Sequence, residues 1–345
     1  MALMRVTSPH AHGPLSTAAV MRTVLLATVP GVLALTWFFG FGTLVNIAVA
    51  CAMALGAEAL ALRLRKRPVA FYLKDYSAMV TATLLAIAMP PYAPWWLLLV
   101  GVLFSIIIAK HLYGGLGYNP FNPAMAGYVV LLISFPVEMT SWAAPRGINA
   151  IEVPGLLDAL QLCFFPGSVD AVTMATPLDV LKQNKSLLED VLRQQNPQFG
   201  RWGGVGWEWA SLGFLAGGLW LLYKRIFTWH APVAMLVSLA LMAAIFHDSS
   251  SPTTTGSALF HLLSGGTMFG AFFIITDPVS SAVSNLGRLI FGAAIGILIF
   301  LIRSWGNYPD AVAFAVLIMN FAAPFIDYYT QSRTYGHSGR QERTG

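Results

Sequence analysis

The chain has 345 residues, of which 57% are hydrophobic and only 10% are charged. Soluble domains carry about 25% charged residues, so a surface this poor in charge excludes an ordinary water-soluble protein. The formal net charge is +5, but the basic residues lie at the ends of apolar runs, which excludes a nucleic-acid-binding domain. The 2 cysteines are too few for a four-thiolate iron–sulfur cluster or a cysteine-based zinc site, and we expect no metal site.

Apolar runs of about 20 residues recur along the chain, and each is long enough to cross a hydrocarbon core of about 30 Å. The runs are continuous rather than alternating in polarity, which favours helices over a β-barrel. We therefore predict an all-α polytopic membrane protein with about ten transmembrane helices. The predicted spans lie at about 17–39, 43–62, 76–89, 95–109, 124–135, 209–223, 231–246, 259–276, 289–302 and 311–328.

One long polar segment divides the predicted spans into two equal sets. We predict a first membrane half at 1–135, a polar region at 136–206, a second membrane half at 207–330 and a basic tail at 331–345. When the spans alternate across the bilayer, most lysines and arginines fall on the side of the two chain termini. The positive-inside rule makes that side cytoplasmic, so the polar region is predicted to be extracytoplasmic.

A weak internal repeat relates the two halves. Residues 77–90 resemble residues 264–278, because each stretch opens with small residues, continues as an apolar run and ends at a proline. Residues 117–120 and 306–309 also match, each before the last apolar run of its half. Each half holds an odd number of spans, so the two must have opposite topology. We predict two inverted five-helix repeats, whose short, interrupted helices are typical of sites at a repeat interface.

The polar region contains the segment Thr173-Met174-Ala175-Thr176-Pro177-Leu178-Asp179. Pro177 can open a short helix, and the free amide groups at such a helix start can hold a phosphate beside the Thr176 hydroxyl. The alternative is that Thr176 is only the N-cap, with Asp179 at the third helical position. Spacing alone favours the capping role.

Two asparagine–proline pairs follow the fourth predicted span. Asn119 and Asn122 each precede a proline, so no helix continues through them. Irregular backbone at membrane depth is tolerated where it is buried in protein or lines a cavity, so these amides can hydrogen-bond a planar heterocycle. The alternative is a capped re-entrant turn. Asp277 also precedes a proline, and there the pattern favours a turn over a place on an ion path.

Four segments together resemble one family of membrane proteins. They are residues 110–123, 173–176, 264–281 and 319–327. They are similar to the family that contains the D subunit of the Rnf electron-transport complex and the B subunit of the sodium-pumping NADH:quinone reductase, and the likeness covers nearly the whole chain. Residues 173–176 resemble the Ser/Thr-Gly-Ala-Thr motif in which a threonine is joined to FMN through a phosphoester. Met174 stands where that motif has glycine.

This resemblance implies a flavoprotein. It implies a covalent FMN on Thr176, with Thr173 and Ala175 as the other matching motif residues and a separate flavin transferase that makes the bond. It also implies a second, non-covalent riboflavin, which we place beside Asn119 and Asn122. We assign no catalytic residue, because a bound flavin does the redox chemistry while the protein holds it and tunes its surroundings.

The resemblance further implies one subunit of a bacterial inner-membrane complex that passes electrons between ferredoxin and NAD with coupled Na⁺ or H⁺ translocation. The implied partners are subunits A, B, C, E and G, the flavin transferase and membrane lipids, and the polar region 136–206 is then periplasmic. Two other classes stay open: a secondary transporter or channel with an inverted repeat and no redox cofactor, and a scaffold. A self-contained proton pump is disfavoured, because the centres of the spans hold almost no ionisable group.

Overall fold

The computed structural model describes residues 16–148, 153–165, 172–184, 189–247, 255–308 and 311–330. This part of the chain is mostly helical, and five of its helices are long and apolar enough to cross a membrane. Several further apolar helices are shorter. The predicted all-α membrane fold is therefore confirmed, whereas the count of about ten spans stays a prediction. The predicted tail 331–345 lies outside the described residues.

The first half is built from helices that prolines and glycines interrupt. The bounds are α1 Thr17–Phe39, α2 Gly42–Leu64, α3 Val69–Leu73, α4 Ser77–Ala88, α5 Trp95–Leu103, the π-helix π1 Phe104–Leu112 that continues α5, and α6 Pro123–Ser134. Helix α4 ends before Pro90, and α6 starts with Pro123 at its first position. Proline suits that position because its missing N–H would have no helical partner there.

The polar region folds into short helices and a two-stranded antiparallel sheet. Its elements are α7 Pro136–Thr140, β1 Trp142–Ala143, α8 Leu156–Phe164, β2 Thr173–Met174, α9 Pro177–Gln183 and α10 Glu189–Gln195. A small apolar core joins α9 and α10 to the second half. It consists of Leu178, Val180, Leu181, Leu192 and Phe260. This core holds the segment around Thr176 against the membrane helices.

The second half contains a broken helix in its middle. The bounds are α11 Trp207–Tyr223, α12 His230–Phe246, α13 Ala258–Leu263, α14 Thr267–Phe269, the π-helix π2 Gly270–Ile274, α15 Asn285–Trp305 and α16 Val312–Thr330. The predicted single span 259–276 is wrong. Ser264 is extended and Gly265 has a φ of +64°, which glycine adopts without strain, so α13 ends and a new helix begins at Thr267.

Close approach between helices depends on glycines. A Cβ atom added at Gly217 of α11 would lie 1.9 Å from the Ala27 carbonyl oxygen of α1. One added at Gly296 of α15 would lie 2.3 Å from the Met235 carbonyl oxygen of α12. Without a side chain in the way, the two backbones of each pair gain extensive dispersion contact, the main attraction between helices in lipid. The first of these contacts joins the two halves.

Candidate functional site

Thr176 lies at the turn between β2 and α9. Its backbone is extended, and its Oγ1 accepts the Asp179 N–H at 3.2 Å. In return, Oδ2 of Asp179 accepts the Thr176 N–H at 3.0 Å and the Thr176 hydroxyl at 2.6 Å. The backbone contacts form a capping box, so the predicted capping role of Thr176 is confirmed. The Thr176 hydroxyl also donates a hydrogen bond to the Asp179 carboxylate, which capping alone does not require.

Contacts from three directions fix the backbone around this threonine. Thr173 belongs to β2 and pairs with β1. Ala175 is exposed, and its carbonyl accepts a hydrogen bond from the Gln198 side chain at 3.2 Å. Pro177 is buried against Gly204, where an added Cβ would lie 2.4 Å from the proline ring. The motif residues therefore share one short, well-supported turn.

Glu208, in the first turn of α11, anchors the loop 200–206 that packs on this turn. Its side chain is buried, and Oε1 accepts the N–H groups of Trp202 and Gly203 at 2.8 and 2.7 Å. A Cβ at Gly200 would lie 2.2 Å from the same oxygen. The hydropathy pattern does not point to Glu208. The usable signal is the glycine-rich run shortly before the glutamate, because such runs are typical of tight turns.

A cavity opens beside Thr176, and we call it the Thr176 cavity. It holds about 1020 Å³ of unfilled space, its open mouth included. Thr176 and Asp179 form a polar edge, next to Trp142 and Trp207, whose ring centroids are 4.7 Å apart. Most of the remaining wall is apolar. It includes Leu35, Met125, Leu132, Phe214 and Phe269. This mostly apolar, aromatic lining suits an aromatic ligand.

Asn119 and Asn122 lie together on the wall of a second cavity, the Asn122 cavity. It holds about 910 Å³ of unfilled space, again with its mouth included. Its wall mixes polar and aromatic groups. They include Ser77, Thr81, Lys110, Asp277, Phe272 and Phe273. The structure thus brings both predicted asparagines to the wall of one cavity.

Asn119 and Asn122 also make hydrogen bonds that stabilise the irregular backbone between π1 and α6. The Asn119 side chain donates to the Phe121 carbonyl at 3.0 Å. Asn122 is the N-cap of α6, where its Oδ1 accepts the Met125 N–H at 3.2 Å. Its own N–H donates to the side-chain oxygen of Asn320 at 3.1 Å, across to α16. The capped-turn alternative is confirmed for Asn122, and it is compatible with a ligand because both side chains still border the cavity.

Asp277 closes the turn that follows π2. Its Oδ2 accepts the Ser280 hydroxyl at 2.7 Å, and its Oδ1 accepts the Val279 N–H at 3.4 Å. Asn320 donates to the Ser280 carbonyl at 2.9 Å, which ties this turn to α16. The predicted turn at Asp277 is confirmed, and the carboxylate also borders the Asn122 cavity.

The two cavities lie at opposite ends of α4. The Thr176 cavity lies where α14 and α16 begin and where α4 ends. The Asn122 cavity lies where α4 and α6 begin and where π2 ends. Helix starts carry partial positive charge and helix ends carry partial negative charge, and Asp179 and Asp277 add a carboxylate to the wall of each cavity. The ends of interrupted helices form part of the wall of each cavity, and interrupted helices also form the binding sites of many membrane transporters.

A buried ion pair borders the Asn122 cavity. Lys110 Nζ lies 2.8 Å from both carboxylate oxygens of Glu58 and 2.7 Å from the Ser77 hydroxyl. The two charged side chains are only 2% and 3% exposed. His111 Nε2 lies 3.5 Å from Oε1 of Glu58. The sequence places both charges near helix ends, but their pairing joins α2 to π1 and is not visible from spacing.

Known proteins resemble the chain over its full length. Residues 4–336 match the NQR2, RnfD, RnfE family. The D subunit of an ion-translocating oxidoreductase complex from Cellvibrio japonicus is 57% identical over 100% of this chain and 98% of that protein. Proteins of the same description are 61% identical in Ectopseudomonas mendocina, over 98% of this chain and 97% of that protein, and 52% identical in Vibrio cholerae, over 98% and 100%. With such coverage, and as its motifs predicted, this chain belongs to the NQR2, RnfD, RnfE family.

Proposed function

We propose that this chain is the flavin-carrying membrane subunit of an Rnf-type ion-translocating oxidoreductase complex, with FMN joined to Thr176 through a phosphoester. The descriptions of its relatives support membership of the complex, because each is the D subunit of an ion-translocating oxidoreductase complex. One structural observation supports the flavin: Thr176 lines a cavity whose wall also includes two tryptophans in ring contact.

The residues of the Thr176 cavity suit a tethered flavin. Trp142 and Trp207 offer aromatic surface for the isoalloxazine rings, and Phe214 and Phe269 extend the apolar wall. The described lining residues include no lysine, arginine or histidine, so a phosphate on Thr176 stays hydrated at the mouth. FMN supplies electron transfer when bound there, while the protein residues hold the rings and exclude water.

A riboflavin in the Asn122 cavity completes the proposed pair of cofactors. Riboflavin has no phosphate, so it needs no dedicated cation. Amides such as those of Asn119 and Asn122 can donate to and accept from the polar edge of its heterocycle.

In the complex, the proposed role of this subunit is to hold flavins on a path between ferredoxin and NAD, with coupled Na⁺ or H⁺ translocation. Subunits A, B, C, E and G supply the other redox centres and the rest of the membrane part. We place the complex in the bacterial inner membrane, with both termini of this chain cytoplasmic and residues 136–206 periplasmic. A flavin transferase on the periplasmic side makes the phosphoester.

The direct test is in-gel flavin fluorescence, with a mass spectrum of the tryptic peptide that contains Thr176. When the chain is co-expressed with a flavin transferase, the denatured band should fluoresce and the peptide should carry FMN. Thr176→Ala should abolish the band and leave the protein in the membrane. Thr140→Ala removes another threonine hydroxyl from the same cavity and should keep the band. An unmodified peptide in an active, assembled complex would rule out the covalent flavin.

A further inference from the structure

We propose that Asp179 accepts the proton of the Thr176 hydroxyl when FMN is attached, so that this chain supplies the base for its own modification. The inference rests on the proposed function, because it concerns how the phosphoester on Thr176 forms. It assigns to Asp179 a catalytic role in that reaction in addition to its capping of α9.

The geometry places the proton on the line between the two reacting groups. The oxygen–oxygen distance of 2.6 Å is typical of a hydroxyl that donates a hydrogen bond to a carboxylate. Oγ1 of Thr176 also accepts the Asp179 N–H at 3.2 Å. A hydroxyl oxygen has two lone pairs, so one is engaged by this N–H and one stays free to attack. The hydroxyl therefore has the orientation of a nucleophile that is hydrogen-bonded to its general base.

Few other titratable side chains in the cavity could accept the proton of the Thr176 hydroxyl in place of Asp179. Among the described residues that line the Thr176 cavity, the only other titratable side chain is that of Tyr128. Protein kinases use the same pairing, in which an aspartate accepts the proton of a substrate hydroxyl as phosphoryl transfer proceeds. Here the aspartate lies on the acceptor chain itself, three residues from the nucleophile, and the capping box holds the two together.

The reaction requires a donor in which the FMN phosphate is activated as a phosphoanhydride, and FAD is of this class. A bond forms between Oγ1 of Thr176 and the phosphorus next to riboflavin. The phosphoanhydride bond breaks, and AMP leaves with its electron pair. The hydroxyl proton passes to Oδ2 of Asp179 and then to water. No group is oxidised or reduced.

The modification also changes the cap. Once esterified, the Thr176 oxygen no longer donates, and Oδ2 of Asp179 faces an ester oxygen and a negatively charged phosphate. The attraction at 2.6 Å is replaced by repulsion between like charges. The carboxylate therefore keeps only its bond to the Thr176 N–H or turns away, and the first turn of α9 should exchange its amide hydrogens faster after modification than before.

The test is the initial rate of flavin incorporation into the purified full-length chain, with a flavin transferase and FAD. Asp179→Asn keeps a side-chain oxygen that can accept the Thr176 N–H, but it removes the base, and the rate should fall by about 10²–10⁴-fold. Asp179→Ala should be slow as well, and added formate, which fits the vacated space, should raise its rate.

A matched control is available in α8. Asp158 makes the equivalent capping contact to the Gly155 N–H at 3.1 Å, with no hydroxyl involved, so Asp158→Asn should leave the rate unchanged. An Asp179→Asn rate equal to that of the wild type would overturn the inference, as would an Asp179→Ala rate that formate does not raise. If the wild-type chain itself takes up no flavin, the proposed function fails instead, so the two failures are distinguishable.

Discussion

At the scale of single residues, Lys110 and Glu58 form the contact most sensitive to a change in charge. Both side chains are almost fully buried, and Lys110 Nζ has its hydrogen bonds directed at Glu58 and Ser77. Removing one partner leaves an uncompensated charge away from water, which costs far more than the intact pair contributes. The stability of the protein therefore depends on the packing of α2 against π1 that brings Glu58 and Lys110 together.

We expect Lys110→Met to lower the free energy of unfolding by about 3–5 kcal/mol, because it leaves Glu58 buried without its cation. The double variant Glu58→Gln/Lys110→Met should recover most of that loss, because neither charge remains. Thermal unfolding of the detergent-solubilised protein gives both values. A single variant that melts like the wild type would show that Glu58 finds water or another partner.

Cys163 is a second residue whose surroundings decide its chemistry. It is buried on α8 in the polar region, and burial raises the pKa of its thiol to about 11. The thiolate is the reactive form, so at pH 8 only about one thiol in a thousand is reactive. Its labelling rate should therefore rise roughly tenfold per pH unit until the pH reaches the pKa.

The measurement is maleimide labelling of the Cys51→Ala variant at pH 8. We expect slow labelling in the native protein and fast labelling after denaturation. Gln161→Cys, in a chain without the natural cysteines, is the control, because position 161 is exposed on the same helix. Equal native rates at positions 161 and 163 would mean that α8 opens frequently.

At the scale of elements, the contact between α1 and α11 depends on the absence of a side chain at Gly217. An added Cβ there would lie 1.9 Å from a backbone oxygen, which cannot move aside as a flexible side chain can. The two helices belong to different halves of the chain, so their separation would loosen the wall of the Thr176 cavity, to which both contribute.

Gly217→Ala should therefore destabilise the folded protein even though alanine is the better helix former. Gly56→Ala is the matched control, because position 56 lies in α2 and a Cβ there would meet nothing within 4 Å. It should be neutral or slightly stabilising. Melting temperatures in detergent compare the two variants, and equal destabilisation of both would contradict the packing explanation.

The element boundaries also show what the sequence could predict. Pro123 and Thr176 mark helix starts through local chemistry, and both starts were predicted. The break at Gly265 was missed, because an apolar run with two glycines is also compatible with one continuous span. The contacts of Glu58 with Lys110 and of Asn122 with Asn320 are set by packing between distant helices, and no local pattern contains that information.

At the scale of the whole molecule, the orientation in the membrane decides which side each cavity faces. The positive-inside rule predicts both termini in the cytoplasm. Alkaline phosphatase fused after residue 184 should be active, because it would be exported, and the same fusion after residue 330 should be inactive. Green fluorescent protein at the same two positions should give the opposite pattern. An inactive phosphatase at residue 184 would reverse the proposed orientation and place Thr176 out of reach of a periplasmic transferase.

The enclosure around Thr176 has a consequence for biogenesis. Leu35 and Met125 come from the first half of the chain, whereas Phe214 and Phe269 come from the second. During synthesis, Thr176 is therefore made before the second-half residues that complete the wall of its cavity. A nascent chain that stops before residue 207 contains Thr176, the site of the proposed FMN, but lacks Phe214 and Phe269 from the cavity wall. If Thr176 carries the proposed FMN, quenching of the flavin fluorescence by Trp207 would report when α11 packs against the polar region.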